Sequence, residues 1–242
     1  MSIRPVLAHP WDVSPAEAKR IQCRLRGRLR VEHLRYPPQV VAGIDVGVKE
    51  GRVRAAVVTV SYPDLLPLQA VTAERDGSFP YVPGLLAFRE GPVVLAALER
   101  LTQPPDVLLF DAQGLAHPRR MGLATHLGIL LDLPAVGCAK SRLCGEAEVP
   151  GAQKGSWSVL TDGNEVIGAV VRTRSHVRPV YVSIGHRLDL QTAVALVLGC
   201  AMRYRVPQPI RLAHQVAGGA RLPAPSGKAR FDEGECESRL LR

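Results

Sequence analysis

A run of four apolar residues that ends on an acid, Val107 to Phe110 followed by Asp111, constrains the fold of this chain more than any other segment. An uninterrupted apolar run of this length is typical of a strand buried on both faces, as in the parallel part of an α/β sheet. Gly114 and Pro118 then interrupt regular structure, and leucines at spacing four in residues 122–131 predict a helix. Ligands bind at the carboxyl ends of the strands in such sheets, so Asp111 is a candidate site residue. The alternative is an aspartate that only caps a turn.

A second acid lies inside another apolar run. Asp45 interrupts the apolar residues 40–48, and the strand-like run 53–60 follows a short polar segment, which predicts a hairpin. A carboxylate in a buried strand costs free energy unless it is paired or bound to a cation. The sequence therefore predicts that Asp45 and Asp111 share a metal ion. His117 and the arginines that follow it add groups suited to a phosphate.

The composition favours a nucleic acid as partner. The 242 residues carry a formal net charge of +9 with a pI of about 9.8, and arginine outnumbers lysine. Guanidinium groups bind phosphate oxygens in a bidentate manner, although a basic protein without a polyanionic ligand would have the same charge. The capping box 14–17 predicts an N-terminal helix with many basic side chains. These side chains either follow a phosphate backbone or face solvent.

Length and cysteine content limit the class of protein further. We expect one domain over residues 1–219 and a disordered tail at 220–242, where Gly, Pro and charged residues dominate. No apolar run is long enough to cross a membrane, and the N-terminus lacks the apolar core of a signal peptide. We therefore expect a cytoplasmic protein with no membrane partner. Five scattered cysteines without a CxxC pair argue against a disulfide framework or a zinc site.

Apolar periodicity and turn residues predict the remaining elements. Strands are expected within residues 65–72 and 133–140 and at 156–160, 166–172 and 180–184. Helices are expected from Pro92 to about Leu101 and from Leu190 to about Tyr204. The first of these helices would have Glu90 at its N-terminus, where the helix dipole favours an ionised acid. Beyond Pro207 the chain is expected to be irregular.

Four segments together resemble the endonuclease V family of deoxyinosine-directed DNA repair nucleases. They are Val41–Gly47, Pro80–Glu90, Asp111–Arg120 with Gly122, and Gly137–Gly145, and the resemblance covers roughly residues 14–216. The resemblance implies an α/β architecture, the RNase H-like fold, in which helices flank a mixed central sheet. The first three strands of that sheet would be antiparallel, and the acids would gather at one edge of its central strands.

The resemblance also assigns roles to individual residues. The acids that would bind the metal are Asp45, Asp111 and Glu90. Lys140 and His214 would act beside the metal. Oxygen ligands suit Mg²⁺, and Mn²⁺ is expected to substitute because it shares the octahedral preference. Such an ion would turn a water molecule into the nucleophile and stabilise the leaving 3′ oxygen.

The implied reaction is hydrolysis of the second phosphodiester bond 3′ to deoxyinosine, leaving 3′-hydroxyl and 5′-phosphate ends. Residues 80–83 resemble the family's wedge, in which an aromatic side chain between two prolines fills the gap left by the rotated base. The positions expected to contact DNA that contains deoxyinosine or other deaminated bases are Pro80, Tyr81, Val82, Pro83, Gly84, Leu85, Gly114 and His117. A monomer is expected.

One position departs from the family pattern. Ala112 directly follows Asp111, where the family usually has glycine. Alanine adds a methyl group and disfavours positive φ, so it would hinder close approach of a base if the backbone were left-handed there. An ordinary backbone conformation at Ala112 would make the change harmless.

Two other functions are compatible with these residues. The same fold could serve a nuclease that acts on inosine-containing RNA or on branched DNA, because motifs do not reveal how a 2′-hydroxyl is accommodated. A basic nucleic-acid-binding protein without catalysis would bind in a salt-sensitive manner and need no metal.

Overall fold

The computed structural model describes residues 3–49, 51–77 and 79–222 and contains thirteen helices and strands. The strands are β1 (Val40–Lys49), β2 (Arg52–Ser61), β3 (Pro67–Asp76), β4 (Val107–Phe110), β5 (Ala135–Ala139), β6 (Trp157–Asp162), β7 (Glu165–Val171) and β8 (Val180–His186). The helices are α1 (Pro15–Arg26), α2 (Leu86–Leu98), α3 (Leu123–Leu131), α4 (Leu190–Cys200) and α5 (Gln208–Ala217). Every strand expected from the sequence is present, and β3 extends beyond its predicted range.

All eight strands form one mixed sheet in the order β3-β2-β1-β4-β5-β8-β7-β6. The first three strands are antiparallel, as expected, whereas β1, β4 and β5 run parallel in the centre. Ile44 pairs with Phe110, and the Asp111 amide donates to the Ile44 carbonyl at 3.0 Å. Since Asp45 and Asp111 each follow a member of this pair, the register alone brings the two acids side by side. The mixed sheet with helices on both sides is the RNase H-like fold.

Side chains of β4 alternate between two hydrophobic layers. Val107 and Leu109 belong to the layer that contains residues of α4 and α5, whereas Leu108 and Phe110 belong to the layer that contains residues of α2 and α3. All four side chains are fully buried. The prediction of a strand buried on both faces is therefore confirmed.

The prediction that a helix starts at Pro92 is wrong. Helix α2 begins at Leu86 and carries Pro92 in its interior, so Glu90 lies in the second turn and not at the N-terminus. Proline removes the hydrogen bond to the carbonyl of Phe88, four residues earlier. Burial of the apolar side chains Ala87 and Phe88, both less than 3% exposed, stabilises the extra turn against that loss.

The expectation of irregular structure beyond Pro207 is also wrong. Helix α5 follows immediately, with Pro209 in its first turn and with Ile210, Leu212 and Val216 buried against the sheet. Conversely, α4 ends at Cys200 and not near Tyr204, because Ala201 has an extended backbone. The expected tail at 220–242 lies outside the described residues from position 223 onward. No described helix is long and apolar enough to span a membrane.

Close contact between α5 and β1 depends on Gly43. A Cβ atom added at Gly43 would lie 2.1 Å from the carbonyl carbon of Pro209, whereas one added at Gly47 would lie no closer than 3.9 Å to any neighbouring atom. The start of α5 therefore packs directly on the backbone of the central strand.

We expect Gly43→Ala to lower the free energy of unfolding by about 1–3 kcal/mol or more, because α5 must move off the sheet. Gly47→Ala, on the same strand, is the matched control and should cost less. Urea unfolding at pH 7 measures both variants. Equal stability of the two variants would contradict the proposed close contact.

Candidate active site

The two aspartates lie at the carboxyl edge of the central strands. Asp45 is within β1, which continues past the end of β4, and Asp111 is the first residue after β4. Both side chains are about 10% exposed and line a cleft of about 670 Å³. Asp111 therefore lies where the sequence predicted it, at the carboxyl end of a buried strand.

Two cationic or ionisable side chains each contact one of these carboxylates. The Lys140 ammonium, which follows β5, donates to Oδ2 of Asp111. Nδ1 of His214, on α5, lies 2.9 Å from Oδ2 of Asp45. Both side chains line the same cleft, so the structure brings together four of the five residues predicted to act in catalysis.

Glu90, the fifth residue, approaches from α2 and does not line the cleft. Burial raises its pKa to about 8, and the charges of Asp45 and Asp111 contribute in the same direction, while Arg89 opposes them. Burial also raises the pKa of Asp111, although Lys140 lowers it. The charges of the three acids therefore interact at the edge of the sheet.

These acids have the chemistry of a site for a hard cation. All three offer oxygen ligands, and a divalent ion would stabilise the ionised form of Glu90, whose pKa is raised by burial and by the neighbouring aspartates. Within the part of the chain that the structure describes, no three His, Cys, Asp or Glu side chains lie close enough to hold an ion as they stand. Lys140 and His214 occupy Oδ2 of the two aspartates in this arrangement.

A second pocket, of about 210 Å³, separates the predicted wedge, residues 80–83, from the segment that follows β4. Tyr81 lines it and is 71% exposed. Ala112 also lines it, and its φ is not among the positive values in the described chain. The φ at Ala112 is therefore not left-handed, and the residue, which is 7% exposed, forms part of the pocket wall.

The backbone carbonyl of Gly84 ties the wedge to its surroundings. It accepts hydrogen bonds from Nε2 of Gln22 at 3.0 Å, Nε2 of His117 at 3.0 Å and Nη2 of Arg119 at 2.7 Å. Gly84 has a φ of +79°, and a Cβ atom there would lie 2.6 Å from Nη2 of Arg119. The positive φ favours glycine at this position, and any larger residue would also have to displace the Arg119 guanidinium.

His117 is fixed in one neutral tautomer by its neighbours. Its Nδ1 accepts the amide hydrogens of Arg119 and Met121, at 3.1 Å and 3.3 Å, so Nε2 carries the proton that is donated to Gly84. Burial lowers the pKa of His117 to about 4. The side chain is 3% exposed and lines the second pocket, and its hydrogen bonds join the segment after β4 to Gly84.

Two of the positions expected at the DNA, Leu85 and Gly114, do not line this pocket, whereas Gly84 and His117 do. Leu85 is 1% exposed and packs in an apolar cluster with Ile21 and Phe88. Gly114 packs against β8, where a Cβ atom would lie 2.2 Å from the carbonyl oxygen of Ile184. Pro80, Val82 and Pro83 remain at the wedge, and Val82 and Pro83 line the pocket.

Sequence reasoning missed Gln22, which is fully buried and also donates to the Met121 carbonyl at 3.0 Å. A signal was present, since Gln22 interrupts the apolar face of α1 between Ala18, Ile21 and Leu25. Arg52 and Arg54, which line the acid cleft from β2, were also missed. Their positions depend on the pairing of β2 with β1.

A mixed RNase H-like sheet with acids, a lysine and a histidine at the edge of its central strands defines a nuclease that hydrolyses phosphodiester bonds. The family model for Endonuclease V matches residues 23–215. The chain is 52% identical over 214 residues to an Endonuclease V of Methanothrix thermoacetophila, with 88% of this chain and 95% of the relative covered. This chain belongs to the endonuclease V family. Members of this family are metal-dependent nucleases.

Solved structures agree with this assignment. The Endonuclease V of Streptomyces avermitilis superposes with a TM-score of 0.83 at 42% identity and covers 90% of this chain and 96% of its own. Endonuclease V of Ciona intestinalis, in complex with DNA containing an inosine followed by a ribo-adenosine, gives a TM-score of 0.71 at 28% identity. That match covers 84% of this chain and 95% of the Ciona chain.

Removal of the His117 ring should destabilise the folded protein. We expect His117→Ala to lower the free energy of unfolding at pH 7 by about 2–3 kcal/mol, because buried donors and an acceptor lose their partner. Pro118→Ala, at the exposed neighbouring position, is the control.

The effect of His117→Ala should also depend on pH. The folded pKa of about 4 lies below the ordinary value of 6.5, so the unfolded chain takes up a proton that the folded chain refuses. The stabilising contribution is complete above about pH 6.5 and is lost as the pH falls towards 4. Denaturant titrations at pH 7 and 4.5 should therefore show a smaller difference at pH 4.5. A constant difference would contradict a neutral His117.

Proposed function

We propose that this protein cuts DNA at deoxyinosine, hydrolysing the second phosphodiester bond 3′ to the altered base and leaving 3′-hydroxyl and 5′-phosphate ends. One observation carries the proposal, namely the acid cleft of Asp45 and Asp111 beside a separate pocket bordered by Tyr81. A base held in that pocket would leave the backbone of its own strand next to the acids. This arrangement suits an enzyme that recognises one nucleotide and cuts close to it.

Asp45 and Asp111, together with Glu90, are the residues that would hold Mg²⁺, and Mn²⁺ would substitute. The bound ion supplies activation of water and stabilisation of the leaving oxygen. Lys140 lies beside Asp111 and would offset negative charge on the scissile phosphate. His214 holds Asp45 by its hydrogen bond and reaches the cleft with a side chain that is 68% exposed.

Recognition of the base would depend on the wedge. Tyr81 is exposed between two prolines, which restrict the backbone on either side of it. Its ring is therefore available to enter the base stack while the altered nucleotide rotates into the pocket. Unstacking costs a few kcal/mol and least for a mispaired base, which favours deaminated purines.

A related substrate deserves a direct comparison because the Ciona protein was solved with a ribo-adenosine after the inosine. In the second candidate function, this chain would cut inosine-containing RNA. Nicking of two duplexes that differ only in the sugar 3′ to the inosine would distinguish the two substrates.

Loss of a metal-binding carboxylate should abolish cutting. We expect Asp111→Asn to reduce nicking of a duplex with one deoxyinosine by about 10³-fold or more, since metal assistance contributes several kcal/mol to the transition state. Asp64→Asn, an exposed aspartate away from the cleft, is the control and should cut normally. Each variant is assayed with Mg²⁺ and with EDTA. Full activity of Asp111→Asn would refute the assignment of the cleft.

Filling the second pocket should weaken recognition without altering the acids. We expect Ala112→Val to raise KM for the deoxyinosine duplex by about tenfold or more, because the added methyl groups enter the space for the base. Ala112→Gly removes volume and should leave KM within a few fold of the wild-type value. If Ala112→Val cuts with an unchanged KM, the base does not occupy this pocket.

A further inference from the structure

The C-terminal half of the fold has a marked excess of positive charge. Between Glu165 and Asp232 the sequence contains a single acid, Asp189, and many arginines. Asp189 caps α4 by accepting the amide hydrogen of Thr192 at 2.9 Å and also contacts Nδ1 of His33 at 2.9 Å. Its carboxylate is therefore already engaged at the start of a helix.

Much of this charge lies on two neighbouring loops, residues 172–179 and 201–206. The hydroxyl of Thr173 donates to the carbonyl of Arg205 at 2.6 Å, and Nη2 of Arg205 donates to the carbonyl of Pro179 at 2.8 Å. These bonds hold the second loop against both ends of the first. Three exposed arginines on the two loops, here called the arginine rim, are Arg174, Arg178 and Arg203.

The arginine rim adjoins the acid cleft. Strands β5 and β8 are antiparallel with Ala139 paired to Tyr181, so the residues just before β8 lie beside Lys140. Arg205 makes this connection direct, because its Nη2 also donates to the backbone carbonyl of Lys140 at 2.5 Å. The carboxyl edge of the sheet therefore continues from Asp111 and Lys140 into the two loops.

No carboxylate of the described residues lies within 4 Å of a rim guanidinium. The basic face of α1 differs in this respect, since Arg20 and Arg24 both pair with Glu17 at 2.6 Å and 3.0 Å. Exposed guanidinium groups without carboxylate partners are suited to bidentate contact with phosphate oxygens. The arginine rim therefore offers uncompensated positive charge on the two loops that meet Lys140.

We propose that the arginine rim binds the phosphodiester backbone of the DNA substrate where the strand leaves the acid cleft past Lys140. This inference rests on the proposed function for its substrate. It adds a second contact region, separate from the wedge and the base pocket. The rim reads no base, because guanidinium contacts to phosphates position a strand without specifying its sequence.

The test compares Arg178→Gln/Arg203→Gln with Arg28→Gln/Arg35→Gln. The control pair removes the same charge from exposed arginines near Asp132 and Pro134, at the opposite edge of the sheet. Binding of a labelled duplex with one deoxyinosine is measured by fluorescence anisotropy in EDTA over a range of salt concentrations. Thermal unfolding of each variant verifies folding.

The rim variant should bind about tenfold more weakly near 0.1 M salt, and its plot of log K against log salt should be shallower by about 1.8. The control pair should match the wild type in slope. A rim variant with wild-type affinity and slope, or a control pair with the same loss, would overturn the proposal. Binding is measured without metal, so this experiment tests the arginine rim independently of nicking. If the wild-type protein fails to nick the duplex, that result contradicts the proposed function and not the rim.

Discussion

The pairing of two parallel strands determines where the chemistry lies. Ile44 and Phe110 are partners in β1 and β4, and the Asp111 amide donates to the Ile44 carbonyl. Both strands are buried in apolar layers on each side, so a slip of one residue would turn every side chain to the wrong face. The same register that satisfies the core therefore holds Asp45 beside Asp111. The position of the acid pair is therefore a consequence of core packing and requires no additional interaction.

Helix α5 adds the last cleft residue to this arrangement. Its first turn rests on Gly43, and its last turn carries His214 to Asp45. The α5 helix is amphipathic and buries residues such as Leu212 and Val216 on its inner face. Packing of the helix and geometry of the cleft are thus linked through one small residue in the central strand.

Much of the fold follows from local sequence, and the departures have physical causes. Apolar runs predicted all eight strands, because burial on one or two faces imposes a clear period. Helix α5 was missed although Ile210, Ala213 and Val216 recur at helical spacing, because the chain was expected to be irregular beyond Pro207, which directly precedes the helix. Helix α2 begins six residues before its proline, which moves Glu90 into the second turn. That His117 contacts DNA stays a prediction; the structure places it at the second pocket and adds a hydrogen bond to Gly84, a tertiary contact that a single sequence does not reveal.

The triple hydrogen bond to the Gly84 carbonyl has a consequence for the kinetics of recognition. Donors from α1 and from the segment after β4 hold the end of the wedge segment before any ligand arrives. A segment that is already ordered loses little conformational entropy on association, so less of the interaction free energy is consumed by ordering the protein. The deformation needed for recognition then falls on the duplex, and the rate of complex formation would be governed by how readily a given base pair opens.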